Sequence, residues 1–186
     1  PTSTYHWNSG GDPVNIPDLT YEQLKAFHAL HYHPSNAKFY TYGDLPLEET
    51  LQQIEDLALH RFDRLDVSKL TVEDEQRFKA PQAVEVTVPA DAIVADANKQ
   101  SIISLAWLMV NQIKDPVSLE NFALNVAGDL LTSGPQSYFY EALLEPGLGS
   151  GFAPGTGYGG SRRETSFAVG LKDVAEADLK KVETTI

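Results

Sequence analysis

The fold of this chain is decided by residues 101–110, which read SIISLAWLMV. The apolar run within them has nine residues, is broken by Ser104, and is far shorter than the roughly 20 residues that a membrane-spanning helix needs. A strand that is apolar on both faces usually lies in the centre of its sheet and is covered on both sides. We therefore predict a buried central strand here.

A long helical pattern follows this strand. Ser118 is a suitable N-cap, and apolar side chains recur along one side of the predicted helix. The sequence SGP at residues 133–135 interrupts the pattern, and a further helix is predicted for residues 136–145. The apolar side of the first helix is formed by Leu119, Phe122, Ala123, Val126, Ala127 and Leu130.

The C-terminal part begins with a glycine-rich stretch at residues 147–160. A strand is predicted for residues 164–171, and it leads into a last helix. Asp173 and Glu176 have the spacing of a capping box for that helix. Its apolar stripe is formed by Ala175, Leu179, Val182 and Ile186.

The N-terminal part predicts two helices separated by a strand. Thr20 and Gln23 form a capping box at the start of the first helix. The pair His33-Pro34 ends it, because proline disfavours helical geometry in the residue before it. Alternating side chains predict a strand at residues 36–43, and Pro46 lies in the first turn of the second helix.

Residues 63–81 are crowded with charged side chains and predict a linker between two domains. The linker separates residues 1–62 from residues 82–186. Just after it, the alternating pattern of residues 83–88 predicts another strand. With helices and strands in both parts, the fold class is α+β.

Composition limits the possible functions. The chain has 26 acidic and 14 basic residues, a net charge of −12, so it repels phosphate backbones and nucleic-acid binding is disfavoured. It has no cysteine, which excludes disulfides and thiolate metal sites. It begins without methionine and ends within a predicted helix, so we expect a fragment of a longer protein.

Histidines are the first candidates for a metal site. His28 and His31 have the spacing H-x-x-H on the first helix, with His33 close behind, but neither H-x-x-E-H nor H-E-x-x-H occurs in the sequence. The interpretation we favour is two half-buried helix histidines and a third at the C-terminal end of the helix, where a partly charged imidazole interacts favourably with the helix dipole. We predict no metal ligands in this chain.

The segment GTGYGG at residues 155–160 matches the letters of G-x-G-x-x-G. A dinucleotide site would need a strand before this segment and a helix after it. Pro154 precedes the segment and a strand is predicted after it, so we favour a flexible loop, hinge or lid over a nucleotide site. We predict no cofactor-binding residues.

The remaining candidates form no catalytic constellation. Arg162 and Arg163 could clamp an anion, but their neighbour Glu164 and the acidic chain favour a surface role. Ser133 lies at a helix break and not in a nucleophile elbow. The carboxylates of Asp129, Glu141 and Glu145 have no spacing that predicts a pair. We predict no catalytic residues.

Two blocks of sequence nevertheless resemble a known family. The first contains NSGGDP at 8–13, LTYEQLKAFH at 19–28, HYHPSNAKF at 31–39 and YGD at 42–44; the second contains LLTSGP at 130–135, FY at 139–140, ALLE at 142–145, GLG at 147–149 and GL at 170–171. Together they resemble the pitrilysin superfamily of zinc metallopeptidases, in its presequence-protease branch. The resemblance covers nearly the whole chain and is weakest in residues 63–81.

The resemblance implies a clamshell of homologous α+β domains that encloses unfolded peptides. The first domain binds Zn²⁺ through H-x-x-E-H and a further glutamate, and the motif glutamate activates the zinc-bound water. The implied substrates are presequences and other short peptides, and the implied compartment is the mitochondrial matrix. The implied partners are these peptides and the rest of the parent chain, without nucleic acid or membrane.

No position of this chain matches the catalytic motif of that family. By resemblance, residues 1–62 end the catalytic domain and residues 82–186 begin the second, non-catalytic domain. The helix from Ser118 is then the counterpart of the zinc-site helix without its ligands. Two alternatives remain open: a peptide-binding or assembly module of the same superfamily, and a nucleotide-binding domain that uses residues 155–160.

Overall fold

The structure is a computed structural model that describes residues 3–93, 96–112 and 118–186, with the side chain of Ser118 not described. The chain forms two compact units, residues 1–75 and residues 76–186. Each unit is described by itself. Residues 36–43, for which a strand is predicted, lie in the first unit. All the strands that the structure assigns lie in the second unit.

The first unit contains helices α1 (Tyr21–His31) and α2 (Leu47–Leu57). Thr20 caps α1 as predicted, because its hydroxyl oxygen accepts from the amide of Gln23 at 3.2 Å and the Gln23 side chain accepts from the Thr20 amide at 2.7 Å. Short 3₁₀ turns complete the unit at Thr4–His6, Ile16–Asp18, Pro34–Asn36, Leu59–Arg61 and Ser68–Leu70.

The second unit is an antiparallel sheet with helices. Its strands are β1 (Ser101–Asn111), β2 (Gly151–Phe152), β3 (Gly157–Gly159) and β4 (Glu164–Val174), and its helical elements are α3 (Ser118–Thr132), a π-helical turn at Tyr140–Leu144, a 3₁₀ turn at Glu176–Asp178 and α4 (Leu179–Thr185). The mixed α+β class is therefore confirmed. No helix among the described residues has the length and apolar character needed to cross a membrane.

The central strand of the sheet is β4, which pairs with β1, β2 and β3. The prediction that residues 101–110 form a strand is confirmed, but their predicted central position is wrong. Within the described part of the chain, β1 pairs with β4 alone, and Ile102 and Leu108 remain 61% and 42% exposed. The apolar sequence predicts that protein covers both faces of this strand, but the described residues cover only one face.

Two other predicted strands are wrong. Residues 36–43 contain the last residue of a 3₁₀ turn and otherwise no regular structure, with Tyr40 and Tyr42 more than four-fifths exposed. Residues 83–88 are likewise irregular, with Val84 and Val86 exposed. An alternating pattern gives a strand only where another strand supplies hydrogen bonds.

The last two helix predictions need correction as well. Asp173 does not begin a capping box, because it lies in β4 with a positive φ of 56° and its carboxylate accepts a hydrogen bond from the Ser150 hydroxyl. Helix α4 begins at Leu179 without a side-chain cap. The helix predicted for residues 136–145 is reduced to residues 138–144, of which the last five form a π-helical turn. The predicted N-cap role of the Ser118 side chain lies outside the described residues.

The hydrophobic core belongs to the second unit. It joins the π-helical turn, the sheet and α4, where Val182 is fully buried as the predicted apolar stripe requires. Burial of each large aliphatic side chain contributes about 1.5–3 kcal/mol. The buried members are Leu143, Leu148, Val169, Leu171, Val174 and Val182.

Candidate functional site

The candidate site lies where α3 packs on β3. Gly128 allows this approach, because a β-carbon at that position would lie 2.8 Å from the β-carbon of Tyr158. Gly160, just after β3, is equally confined, since a β-carbon there would lie 2.7 Å from Asn121 Oδ1. The helix and the strand therefore meet through glycines, and polar side chains fill the space around them.

Two buried polar atoms at this junction lack a hydrogen-bond partner among the described residues. They are the side-chain oxygen of Asn121 and the hydroxyl of Tyr158. Buried polar groups are almost always paired, so such atoms mark a place where another polar group is needed. The amide oxygen can accept a hydrogen bond, and the hydroxyl can donate or accept. Both atoms are enclosed by protein, and neither has the means to cleave a bond.

Gln112 fixes the backbone beside this junction. Its amide donates to the carbonyl of Arg163 at 2.9 Å, and its side-chain nitrogen donates to the carbonyls of Arg162, at 3.1 Å, and Gly160. The turn between β3 and β4 is therefore attached to the end of β1 by one glutamine. This positioning was not anticipated from the sequence.

An ion pair stabilises the same end of the sheet. Arg77 lies 2.8 Å from Glu164 Oε2 and also donates to the carbonyl of Met109 at 2.9 Å. The other carboxylate oxygen of Glu164 accepts from the Asn111 side chain at 3.0 Å. The Glu164 side chain is only 13% exposed, so this pair is less screened by water than an ordinary surface pair.

The structure gives the predicted helix histidines local contacts. His28 stacks on Tyr32 with ring centroids 4.9 Å apart, and His31 stacks on Phe27 at 4.2 Å. Nδ1 of His33 accepts from the Ser35 amide at 3.1 Å, which caps the 3₁₀ turn after α1. None of the described residues belongs to a group of three or more His, Cys, Asp or Glu that could hold a metal ion.

The glycine-rich segment is part of the sheet. Gly157 pairs with Ala168 and Gly159 with Ser166, and β4 follows instead of a helix. A phosphate-binding loop needs a helix N-terminus after its glycines, so the geometry of a dinucleotide site is not present. The interpretation of residues 155–160 as a flexible loop is wrong for residues 157–159, which pair with β4.

The remaining candidate side chains are dispersed. Arg162 is exposed, as expected for a surface role, whereas Arg163 is half-buried with its Nε atom enclosed. The Ser133 hydroxyl donates to the Asp129 carboxylate at 3.2 Å, a local contact at the end of α3. Among the described residues, the two arginines and Ser133 therefore do not form a catalytic set.

The first unit has an open groove of about 710 Å³ that the sequence did not predict. Its wall includes His33 and Phe62, which meet edge to face at 5.1 Å, and Ser35, whose hydroxyl oxygen accepts from the Leu65 amide at 3.0 Å. Hydrogen bonds from Ser68 lower the pKa of the nearby Asp66 carboxyl. The sequence spacing of the groove-lining residues gave no signal of this concavity.

Comparison with known proteins identifies a family. Residues 18–186 match the family described as the peptidase M16 inactive domain. The whole chain is 45% identical to the mitochondrial presequence proteases of Xenopus laevis and of Mus musculus, and it covers 18% of each. The presequence protease of Schizosaccharomyces pombe is 38% identical over 184 residues, which are 99% of this chain and 18% of that protein.

The residues described do not fit the zinc ion of such peptidases. His28 and His31 are held by aromatic stacking, and no carboxylate completes a ligand set with them. The chain also spans only 18% of the length of the curated relatives named above. The family match over residues 18–186 and the likeness in sequence over the full length agree, and this chain belongs to the peptidase M16 family through its inactive-type domain.

Proposed function

We propose that this chain is a non-catalytic part of a zinc metalloendopeptidase that degrades presequences and other short unfolded peptides in an enclosed chamber. The observation that carries the proposal is 45% identity over the whole chain to proteins named mitochondrial presequence protease. The description of the matching family as an inactive domain supports a role without catalysis. The proposed compartment is the mitochondrial matrix.

The proposed division of labour gives zinc chemistry to another part of the protein. These 186 residues contain no H-x-x-E-H motif, and zinc-activated water needs its ligands and its general base together. Residues 1–62 would end the catalytic-type domain, residues 63–81 would link, and residues 82–186 would begin the second domain. This chain would help to enclose the peptide and would be inactive by itself.

Charge supports the proposed substrate class. The net charge of −12 attracts cationic peptides over a distance of about a Debye length, and presequences are basic. Charge attracts a peptide without cleaving it, so this feature supports a binding role.

The test uses the complete gene product that contains these residues. We expect it to cleave a quenched fluorescent presequence peptide, to lose this activity with a zinc chelator, and to regain it with Zn²⁺. We expect the 186-residue chain alone to show neither activity nor a response to Zn²⁺. Zinc-dependent cleavage by the 186-residue chain would contradict the proposal.

A second candidate is a peptide-binding or assembly module of the same superfamily, which the family description as an inactive domain favours. In that case the complete gene product would lack H-x-x-E-H and would bind presequence peptides without cleaving them. Titration of a fluorescent peptide distinguishes the two functions, because a module gives stable binding and a peptidase gives products.

A further inference from the structure

Helix α3 has two apolar arcs that point in opposite directions. The inner arc includes Leu124 and Gly128, and it faces β3, where Gly128 meets Tyr158. The outer arc contains Phe122, which is 66% exposed, and Val126, which is 44% exposed. At 3.6 residues per turn these arcs lie on opposite sides of the helix.

A helix with apolar side chains on two opposite faces normally packs against protein on both of them. The outer arc extends from Leu119, 75% exposed, to Leu130, 64% exposed, so it runs along most of α3. No described residue of the second unit covers it. Four large apolar side chains in one stripe form a surface that soluble proteins rarely leave in water.

We propose that the outer arc of α3 is a docking surface for an amphipathic segment from another part of the same longer polypeptide. This inference rests on the proposed function, in which the chain is one part of a peptidase. Relatives at 45% identity are more than five times longer than this chain, since it covers 18% of each, so ample polypeptide is available. A tethered segment also has a high effective concentration.

Charge favours this occupant over a second copy of the chain. The exposed carboxylates of Glu120 and Asp129 flank the outer arc on its two sides. Two copies would each bring a net charge of −12 and their own acidic flanks into contact, which opposes association. The occupant we expect has apolar side chains at helical spacing, with basic residues at its edges.

Thiol labelling tests the surface, because the 186 residues contain no cysteine. Val126→Cys is introduced into the complete gene product and into the 186-residue chain, and modification by a maleimide is followed by peptide mass spectrometry. We expect labelling in the complete protein to be slower by about tenfold or more, since it requires local opening. Ser161→Cys, at an exposed position in the turn between β3 and β4, is the matched control and should be slowed much less.

Each other outcome overturns the proposal. Equal labelling of Val126→Cys in both proteins would show that no segment outside the 186 residues covers the arc. Protection in the 186-residue chain that grows with concentration would identify a second copy. Protection of the complete protein only when a presequence peptide is added would identify the substrate as the occupant. Peptide cleavage measured on the same preparations reports separately on the proposed function and on correct folding.

Discussion

The two units of the chain differ in what they bury. The second unit encloses Leu171 and Val169 completely within a sheet and helices. In the first unit no described residue is buried, and α1 exposes Phe27 at 54% while α2 exposes Leu51 at 56%. Both units have amphipathic helices, so helical pattern alone does not make a core. The difference is the sheet of the second unit, against which apolar side chains pack on one side.

The largest expected effect is at the centre of the second unit. Leu171→Ala should destabilise it by about 2–5 kcal/mol, because the side chain is fully buried and its loss leaves a cavity. Urea unfolding followed by circular dichroism measures the change. Lys172→Ala, next to it and exposed, is the control and should change stability little.

The equivalent change in the first unit should be much weaker. Leu51→Ala removes a side chain that is already 56% exposed, so we expect a loss below about 1 kcal/mol. The same urea titration applies. A loss of stability as large as that of Leu171→Ala would show that the first unit has a hydrophobic core of its own. The two units would then not differ in what they bury.

A close backbone contact gives the next test. A side chain at Gly170 would meet the Ser104 β-carbon at 2.8 Å and the Ile103 carbonyl oxygen still closer. Gly170→Ala should therefore cost about 1–3 kcal/mol by forcing β1 and β4 apart. Gly151→Ala is the matched control, because a β-carbon there meets only the flexible end of Lys172 at 3.2 Å.

Local sequence predicted the elements that depend on local contacts. The capping box of Thr20 and Gln23 was predictable because its hydrogen bonds join residues three apart. The strands at 101–110 and 164–171 were predictable from apolar pattern. The edge position of β1 was not, because it depends on which strands pair with β4 across long sequence distances. Asp173 had the spacing of a cap, but β4 continues through it.

The candidate site was not predictable for the same reason. Asn121 and Tyr158 are far apart in the sequence, and only the packing of α3 on β3 brings them together. The letter pattern of residues 155–160 pointed instead to a phosphate loop. Gly157 and Gly159 instead belong to β3, which α3 approaches closely, and this role depends on how the two elements pack.

The cap of α1 gives a smaller effect. Thr20→Ala should destabilise the first unit by about 0.5–2 kcal/mol, because the hydrogen bond to the Gln23 amide is lost. The loss of helical circular dichroism on heating measures it. Thr20→Ser, which keeps the hydroxyl, should behave like the original, and equal effects of both variants would refute the capping account.

The smallest expected effect concerns Asp66. Its pKa is lowered chiefly by hydrogen bonds from the side chain and then the amide of Ser68, so Ser68→Ala should raise the pKa toward the ordinary aspartate value. Carboxyl-carbon NMR titration measures it. A lowered pKa favours folding above the unfolded-state pKa, and that contribution disappears as pH falls through the folded-state pKa. An unchanged titration in Ser68→Ala would contradict this cause.

We predict that these 186 residues contain no zinc site, and the proposed function depends on this prediction. The direct test is the zinc content of the purified 186-residue chain, measured by elemental mass spectrometry after equilibration with Zn²⁺ and removal of the unbound ion. The account predicts well below one zinc per chain. One tightly bound zinc per chain that is lost in His28→Ala and in His31→Ala would contradict it.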